Sequence, residues 1–341
     1  MLNEPGACAA RGSAHEDGQK FAVRFALRRA TLAPSSYNSQ PWHFILGTDR
    51  ILLCADRLRA LPVVDPYDRE LIISCGAALF NLRVALASLG MGYAITLFPS
   101  SADPDLLADV HLLRERTAGA ELAGLVSAIS ERVTTRHPFS AEPVEIAIGQ
   151  HLMEAAHAEG VDVACVSATE SRNAIADLVA KADLQQFANP RFRRELARWI
   201  HPRHTNDGMP PGAAGLGPRL EFARPLVAPA IRAFDFGAGI AAMHRNLAAG
   251  SPLLLCLATG IDDVQAWIAT GQALERVLLV ATLNGLCTSY LNQPIEIQEL
   301  RSQLGMLTGL PDASWPQFLL LIGHGIPDAA TLRRPLHEVI S

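Results

Sequence analysis

Lysine is almost missing from this sequence: only Lys20 and Lys181 occur among its 29 basic residues. Any anion held by a cationic side chain is therefore held by arginine, whose planar fork suits two-point contact with phosphate or carboxylate. Net charge is modest, at −5, and gives no electrostatic reason to expect nucleic acid or an anionic membrane as partner. Cys8, Cys54, Cys75, Cys165, Cys256 and Cys287 form no CxxC pair, and no histidine spacing suggests zinc. They are expected to be reduced and buried as small hydrophobes. GxSxG is absent, as are a GxGxxG loop after a strand and a convincing Ser/His/Asp set, which removes the usual signatures of hydrolases and Rossmann dehydrogenases. No apolar stretch reads as long enough to cross a bilayer, and no charged-then-apolar secretory signal opens the chain, so a cytoplasmic protein without a membrane partner is expected. Hydrophobic residues, by contrast, make up 49% of the 341, enough for a sizeable core in one large domain or two. Residues 1–20 are polar and rich in small side chains, and are expected to be disordered.

One stretch stands out, running from Arg28 through Pro34-Ser35-Ser36-Tyr37-Asn38-Ser39-Gln40-Pro41 to Trp42. A helix beginning near Phe21 must stop at Pro34, which lacks an N–H and pushes Ala33 out of helical geometry. Ser35, Ser36, Asn38 and Gln40 then supply more hydroxyl and amide groups than a turn needs. Trp42–Leu46 and Ile51–Ala55, joined through Thr48-Asp49-Arg50, read as a hairpin that fixes this loop to a sheet edge. A plain connection with a capping Asn is the bland alternative.

The chain also carries an internal echo. Residues 75–90 line up with residues 270–285 at a constant offset, since 271 − 76 and 285 − 90 both equal 195. In each copy a small residue opens a helix, apolar residues recur every three or four positions, glycine closes it, and a short apolar strand follows. Similar amphipathic helices can arise in any α/β protein, but matching glycines at both ends favour duplication. Val161–Val166, Leu253–Ala258 and Gln317–Ile322 are further candidate strands. Between them, residues 189–236 form a Pro-, Gly- and Arg-rich insertion of the kind that usually serves as a lid or binding loop. Trp199 and Met209 would give it an apolar underside. His201, His204 and Asp207 could be metal ligands, but isolated histidines in a polar loop are more often surface groups.

Two arginine clusters complete the inventory. Arg132-Val133-Thr134-Thr135-Arg136 sets two guanidinium groups around two hydroxyls, just before a helix expected near Pro143, and such an arrangement suits a phosphate dianion. Thr331-Leu332-Arg333-Arg334-Pro335-Leu336 lies near the C-terminus. Each cluster taken singly could be solvated surface.

Taken together, the Ala33–Trp42 string, the Arg-x-Thr-x-Arg run and the Arg-Arg-Pro-Leu ending resemble the nitroreductase superfamily of FMN-dependent oxidoreductases. Over nearly the whole chain the likeness is to its Acg-type branch. The resemblance implies an α+β (α/β sandwich) nitroreductase-like fold built as a single-chain pseudo-dimer: residues 21–131 as one half, 132–341 as the other, and 189–236 as a lid insertion. It further implies that Pro34, Ser35, Ser36, Asn38 and Gln40 meet the flavin and that Arg132, Thr134 and Arg136 hold the FMN phosphate. Arg333, then Arg334, would return to the same phosphate, and backbone groups of Ser289, Tyr290 and Leu291 would face the flavin's reactive edge. Only the first half has the Ser/Asn/Gln loop and only the second has the Arg-x-Thr-x-Arg motif, so one complete site can be assembled. No catalytic side chain or metal is expected, because the flavin carries the electrons. The implied activity is two-electron reduction of a small-molecule acceptor, nitroaromatic or quinone, with NADH or NADPH as reductant, in a monomer. The alternatives are an Acg-type flavin-storing protein with little or no reductase activity, and an interaction module with a decayed flavin site.

Overall fold

The computed structural model describes residues 19–113, 119–201, 205–210 and 224–341. Most of the expected disordered N-terminus, Cys8 and His204 lie outside the described residues. Helix α1 (19–30) runs into a turn ahead of Pro34. A first antiparallel sheet follows, built from β1 (Trp42–Leu46), β2 (Arg50–Ala55), β3 (Gly92–Leu97) and β4 (Leu106–Leu113), with helix α2 (Arg69–Ser88) between β2 and β3. Short helices α3 (Ala120–Ala123) and α4 (Ala128–Glu131) lead to α5 (Ile146–His157) and β5 (Asp162–Val166). Four helices come next: α6 (Thr169–Ala188), α7 (Pro190–Arg198), α8 (Arg224–Ala233) and α9 (Gly237–Gly250). The chain closes with β6 (Leu253–Thr259), α10 (Val264–Leu283), β7 (Cys287–Tyr290), α11 (Gln293–Glu296), α12 (Gln298–Thr308) and β8 (Trp315–Gly323). Helices and antiparallel sheets together make an α+β protein.

The two sheets share one topology. Their strand orders are β1-β2-β4-β3 and β5-β6-β8-β7, the same permutation once strands are numbered within each sheet. Even the irregularities correspond: the register shifts between Leu53 and Cys54 in the first sheet and between Leu257 and Ala258 in the second, each time with two residues of the strand remaining. Helices α2 and α10 cross between the sheets, and the contact is reciprocal. A Cβ added to Gly76 would stand 3.0 Å from the Gly271 Cα and strike the Ile268 carbonyl, while one on Gly271 would stand 2.8 Å from the Gly76 Cα and strike the Ile73 carbonyl. Since 268 − 73 is again 195, each glycine meets the counterpart of what the other meets, as across a two-fold interface. Only a residue without Cβ lets the two backbones come this close. Gly90 and Gly285, at φ 65° and 69°, end the two helices in the left-handed conformation that glycine takes without strain.

Trp42, Phe44, Ile51, Leu53, Leu79 and Leu82 fill the core of the first half, and Leu255, Leu257, Leu278, Leu320 and Ile322 fill that around α10. Each such side chain contributes about 1.5–3 kcal/mol on burial. Helix α2 has the length and apolar composition of a membrane span, which the sequence reading overlooked, but 89% of that window is buried inside the protein. Cys75 and Cys256 are buried as expected, whereas Cys165 is exposed because β5 is an edge strand with one open face. The helix expected near Pro143 begins at Ile146, after an extended approach in which the Ser140 N–H is taken by the His324 carbonyl (2.7 Å). Strand β4, whose Asp109 and His111 interrupt its apolar pattern, has no counterpart in the sequence reading.

Two edge additions bring distant segments together. On β1, Phe44 donates its N–H to Val339 (2.8 Å), Leu46 to Ser341 (2.9 Å), and Ser341 back to Phe44 (3.0 Å), so the last residues of the chain lie on the first sheet. On β7, Thr134 bridges Thr288, and Thr135 donates to the Thr288 carbonyl (2.9 Å). Both additions cover edges that would otherwise present unpaired backbone groups.

Candidate functional site

The Ser/Asn/Gln loop is folded against its residues' own preferences. Tyr37, Asn38 and Gln40 have φ of 54°, 53° and 52°, a left-handed geometry that asparagine tolerates and bulkier side chains avoid. Strain of about 1–3 kcal/mol per residue persists only where surrounding contacts impose it. Here Asn38 donates its N–H to the Ser35 carbonyl (2.9 Å), Gln40 donates its own to Ser35 Oγ (3.0 Å), and the Cys75 thiol donates to the Pro41 carbonyl (3.2 Å). Pro34 and Gln40 are buried, and the Ser36 hydroxyl donates to the Glu70 carboxylate.

Against this loop the two arginine clusters converge. Arg132 Nη2 and Arg333 Nη2 both donate to the Leu32 carbonyl, at 3.1 and 3.2 Å, and Arg333 also reaches the Ala33 carbonyl (3.1 Å) and Asn38 Oδ1 (3.1 Å). Two guanidinium groups thus meet at one carbonyl with one carboxylate close by: Glu275, on α10, lies 3.6 Å from Arg132 Nε. Arg132 Nε and Nη1 and Arg333 Nε are buried without a hydrogen-bond partner. Burial, followed by the neighbouring positive charge of Arg132, lowers the Arg333 guanidinium to about 10. Burial raises the Glu275 carboxyl, with Arg132, Asn81 and Arg333 opposing. Crowded cations with unsatisfied donors are groups whose chemistry suits an anionic ligand.

The other sequence-nominated residues take varied positions. Arg334 donates its N–H to Gln40 Oε1 (2.8 Å) and lies 3.6 Å from Asp56. Thr134 Oγ1 shares a hydrogen bond with the Tyr290 hydroxyl. Arg136 is not drawn into the cluster: its side chain is exposed and its backbone N–H goes to Asp328 (2.8 Å). Ser289 is buried in the β7–β8 ladder, and the Leu291 N–H is taken by the Leu319 carbonyl (3.3 Å). Sequence reasoning missed the carbonyls of Leu32 and Ala33, which leave no side-chain signature, and Glu275. A lone acid within the apolar run of α10 was the available signal for Glu275.

The described part of the insertion touches the loop. Asn38 Nδ2 donates to the Gly208 carbonyl (3.1 Å), the Gly208 N–H donates to the Asn38 carbonyl (3.2 Å), and Gln40 Nε2 donates to the Asn206 carbonyl (2.7 Å). Arg59 ties Asp207 to the Ser39 carbonyl and stacks 5.5 Å over the Trp199 ring. Ile200 and Met209 pack with Leu61, Val64, Phe187, Phe192 and Leu196 in a separate apolar cluster. His201 Nε2 stands 3.7 Å from Asp207 Oδ1.

No family model matches the sequence. Among curated proteins, the chain is 33% identical over 325 residues to the Mycobacterium tuberculosis (strain H37Rv) protein named "Putative NAD(P)H nitroreductase Rv3131", covering 93% of this chain and 90% of the relative. It is 30% identical over 328 residues to the M. tuberculosis protein named "Putative NAD(P)H nitroreductase acg", covering 93% and 94%. Among solved structures, the FMN and NADPH-dependent nitroreductase NfnB of Sphigopyxis sp. strain HMH aligns with a TM-score of 0.43 at 22% identity, over 64% of this chain and 97% of that one. On the near full-length identity to those two curated relatives, this chain belongs to the NAD(P)H nitroreductase family.

Proposed function

We propose that the protein binds one FMN per chain and works as an NAD(P)H-dependent oxidoreductase. The observation that carries this reading is the convergence of Arg132 and Arg333 on the Leu32 carbonyl beside Asn38, with three buried guanidinium N–H positions left without partners. Those orphaned donors fit a phosphate dianion. Arg132 and Arg333 would hold the FMN phosphate, and the Ser35–Gln40 loop with the Tyr290–Leu291 segment would frame the remainder. The bound flavin would take a hydride from NADH or NADPH and pass two electrons to a nitroaromatic or quinone acceptor.

The chain's own residues bind and orient. Arg132 and Arg333 would hold the phosphate through the guanidinium nitrogens that make no hydrogen bond within the protein, Asn38 keeps Arg333 in place, and Thr134, hydrogen-bonded to Tyr290, pins the Arg132–Arg136 segment to β7. The assignment rests on Arg132 and Arg333 and draws nothing from Arg136. Residues 205–210 would cover the loop and limit access of water, the role of a lid. The matching strand orders and the reciprocal glycine contact support a fused pair of half-domains, and the same reading takes the protein as a monomer in the cytoplasm. The relatives' names are those of reductases and lend no weight to flavin storage. The test is direct: purified protein should be yellow, release FMN on denaturation, and oxidise NADH or NADPH with a quinone or nitroaromatic acceptor. Protein that stays colourless after incubation with FMN overturns the reading.

A further inference from the structure

One buried acid beside the two arginines is given no role by phosphate binding itself. Glu275 lies wholly buried in the middle of α10, and neither of its oxygens has a hydrogen-bond partner. Its ion pair among the described residues is with Arg132, 3.6 Å away at Nε. Asn81 faces it from α2, and both polar atoms of that amide are also buried and unpartnered. Arg333 faces it from the C-terminal segment, with Tyr290 of β7 facing Arg333 in turn. The next charges along the two helices, Arg83 and Arg276, turn instead to Glu159, and Arg276 also to Glu121.

The helix crossing does not require an acid at this position. Its counterpart on α2 is Phe80, since 275 − 80 is again 195, and that fully buried ring lies 5.2 Å from the Arg83 guanidinium. An apolar side chain fills the equivalent place, so the carboxyl at 275 answers to the cations beside it. Without phosphate, Arg132 and Arg333 carry two positive charges against the one negative charge of Glu275. A bound phosphate dianion balances both arginines by itself, and an ionised Glu275 would then be a buried charge in surplus. Such a group takes a proton instead. Burial already raises the Glu275 carboxyl, and Arg132 is foremost among the groups that hold it down. Turning that guanidinium towards phosphate removes the restraint. Asn81 suits the neutral form, because a protonated carboxyl can donate to the amide oxygen and accept from the amide nitrogen.

We infer that Glu275 is the internal counter-ion of Arg132 and Arg333 and takes up one proton when the phosphate of FMN replaces it in that role, which rests on the flavin reading. The proton comes from bulk water or buffer, an O–H bond forms on the carboxyl, and the charge it loses is supplied by phosphate. Flavin uptake is thereby tied to pH. The complex holds one more proton than the free protein, so FMN binds more weakly as pH rises. Above about pH 7 the phosphate monoester is already mostly dianionic, and its own titration adds little.

Calorimetric titration of the flavin-free full chain from about pH 7 to pH 8.5, in two buffers of different ionisation enthalpy, counts the protons. Wild type should take up close to one proton per FMN, with affinity falling by up to about tenfold per pH unit, and none with riboflavin. Glu275→Gln keeps the shape of the side chain without the charge. It should bind FMN with no uptake and no pH slope, and at the alkaline end at least as tightly as wild type, whereas loss of a merely structural glutamate would weaken binding. The comparison of FMN with riboflavin uses wild type alone and decides the matter if Glu275→Gln fails to fold. FMN binding without uptake, equal uptake with riboflavin, or uptake that persists in Glu275→Gln overturns the counter-ion role and leaves the flavin reading standing. Protein that binds neither flavin overturns that reading and this inference with it.

Discussion

Replacing Arg132 with alanine separates phosphate recognition from every other role the site could have. In the structure Arg132 Nη2 is committed to the Leu32 carbonyl and Nε faces Glu275 at 3.6 Å, while Nη1 is buried without a hydrogen-bond partner. A single charge-assisted hydrogen bond from Nη1 contributes about 1.5–3 kcal/mol. At 1.4 kcal/mol per tenfold, FMN should bind Arg132→Ala roughly 10- to 150-fold more weakly than wild type. Riboflavin, which has the same ring and ribityl chain without the phosphate, should bind both proteins alike. The substitution also strips Glu275 of its nearest cation, and stranding a buried charge costs up to about 3–5 kcal/mol. Because burial already raises the Glu275 carboxyl, proton uptake limits that loss, and the double variant Arg132→Ala/Glu275→Gln removes it. Titrating flavin fluorescence against each protein gives both affinities, and thermal melts without ligand report the Glu275 effect. Equal weakening for FMN and riboflavin, or an FMN affinity within about twofold of wild type, would refute the phosphate assignment.

Gly271→Ala should drive a methyl group into the Ile73 carbonyl and the Gly76 backbone, costing about 1–3 kcal/mol; an unchanged urea midpoint would show that the helix crossing is slack. Asp207→Ala should free Arg59 and loosen residues 205–210 from Asn38 and Gln40, seen as faster stopped-flow reduction of the flavin by NADPH, and a wild-type rate would count against the covering role. Asp262 is held down to about 2: burial opposes this, but the hydrogen bonds of Arg301, Trp267 and Gln317 outweigh it. A depressed carboxyl stabilises the fold above its unfolded value, near 3.8, and that stabilisation is lost as pH falls through about 2. Melting temperature should therefore drop less steeply between pH 4 and pH 2 in Asp262→Asn than in wild type, and parallel curves would exclude the ion pair as a source of acid sensitivity.

Much of the molecule could be read before folding. The hairpin, both repeated helices and their closing glycines, and strands β5, β6 and β8 follow from apolar periodicity and from residues with few conformational options. Glu70 and Glu275 went unnoticed because a carboxylate in a sequence looks the same whether it is solvated or buried. The exposed position of Arg136 was equally hidden, since a charge run does not say which of its members turns inward.

The residue string alone determined the family resemblance, the inventory of phosphate-binding candidates and the matching helix pattern at an offset of 195, because these depend on residue types and spacings within short stretches. Tertiary structure decided which candidates meet. Segments near residues 38, 132 and 333 come together only because the chain's end pairs with β1 and the Thr134 segment pairs with β7. Such edge pairings are made by backbone groups that every residue carries, and nothing in the order of side chains announces them.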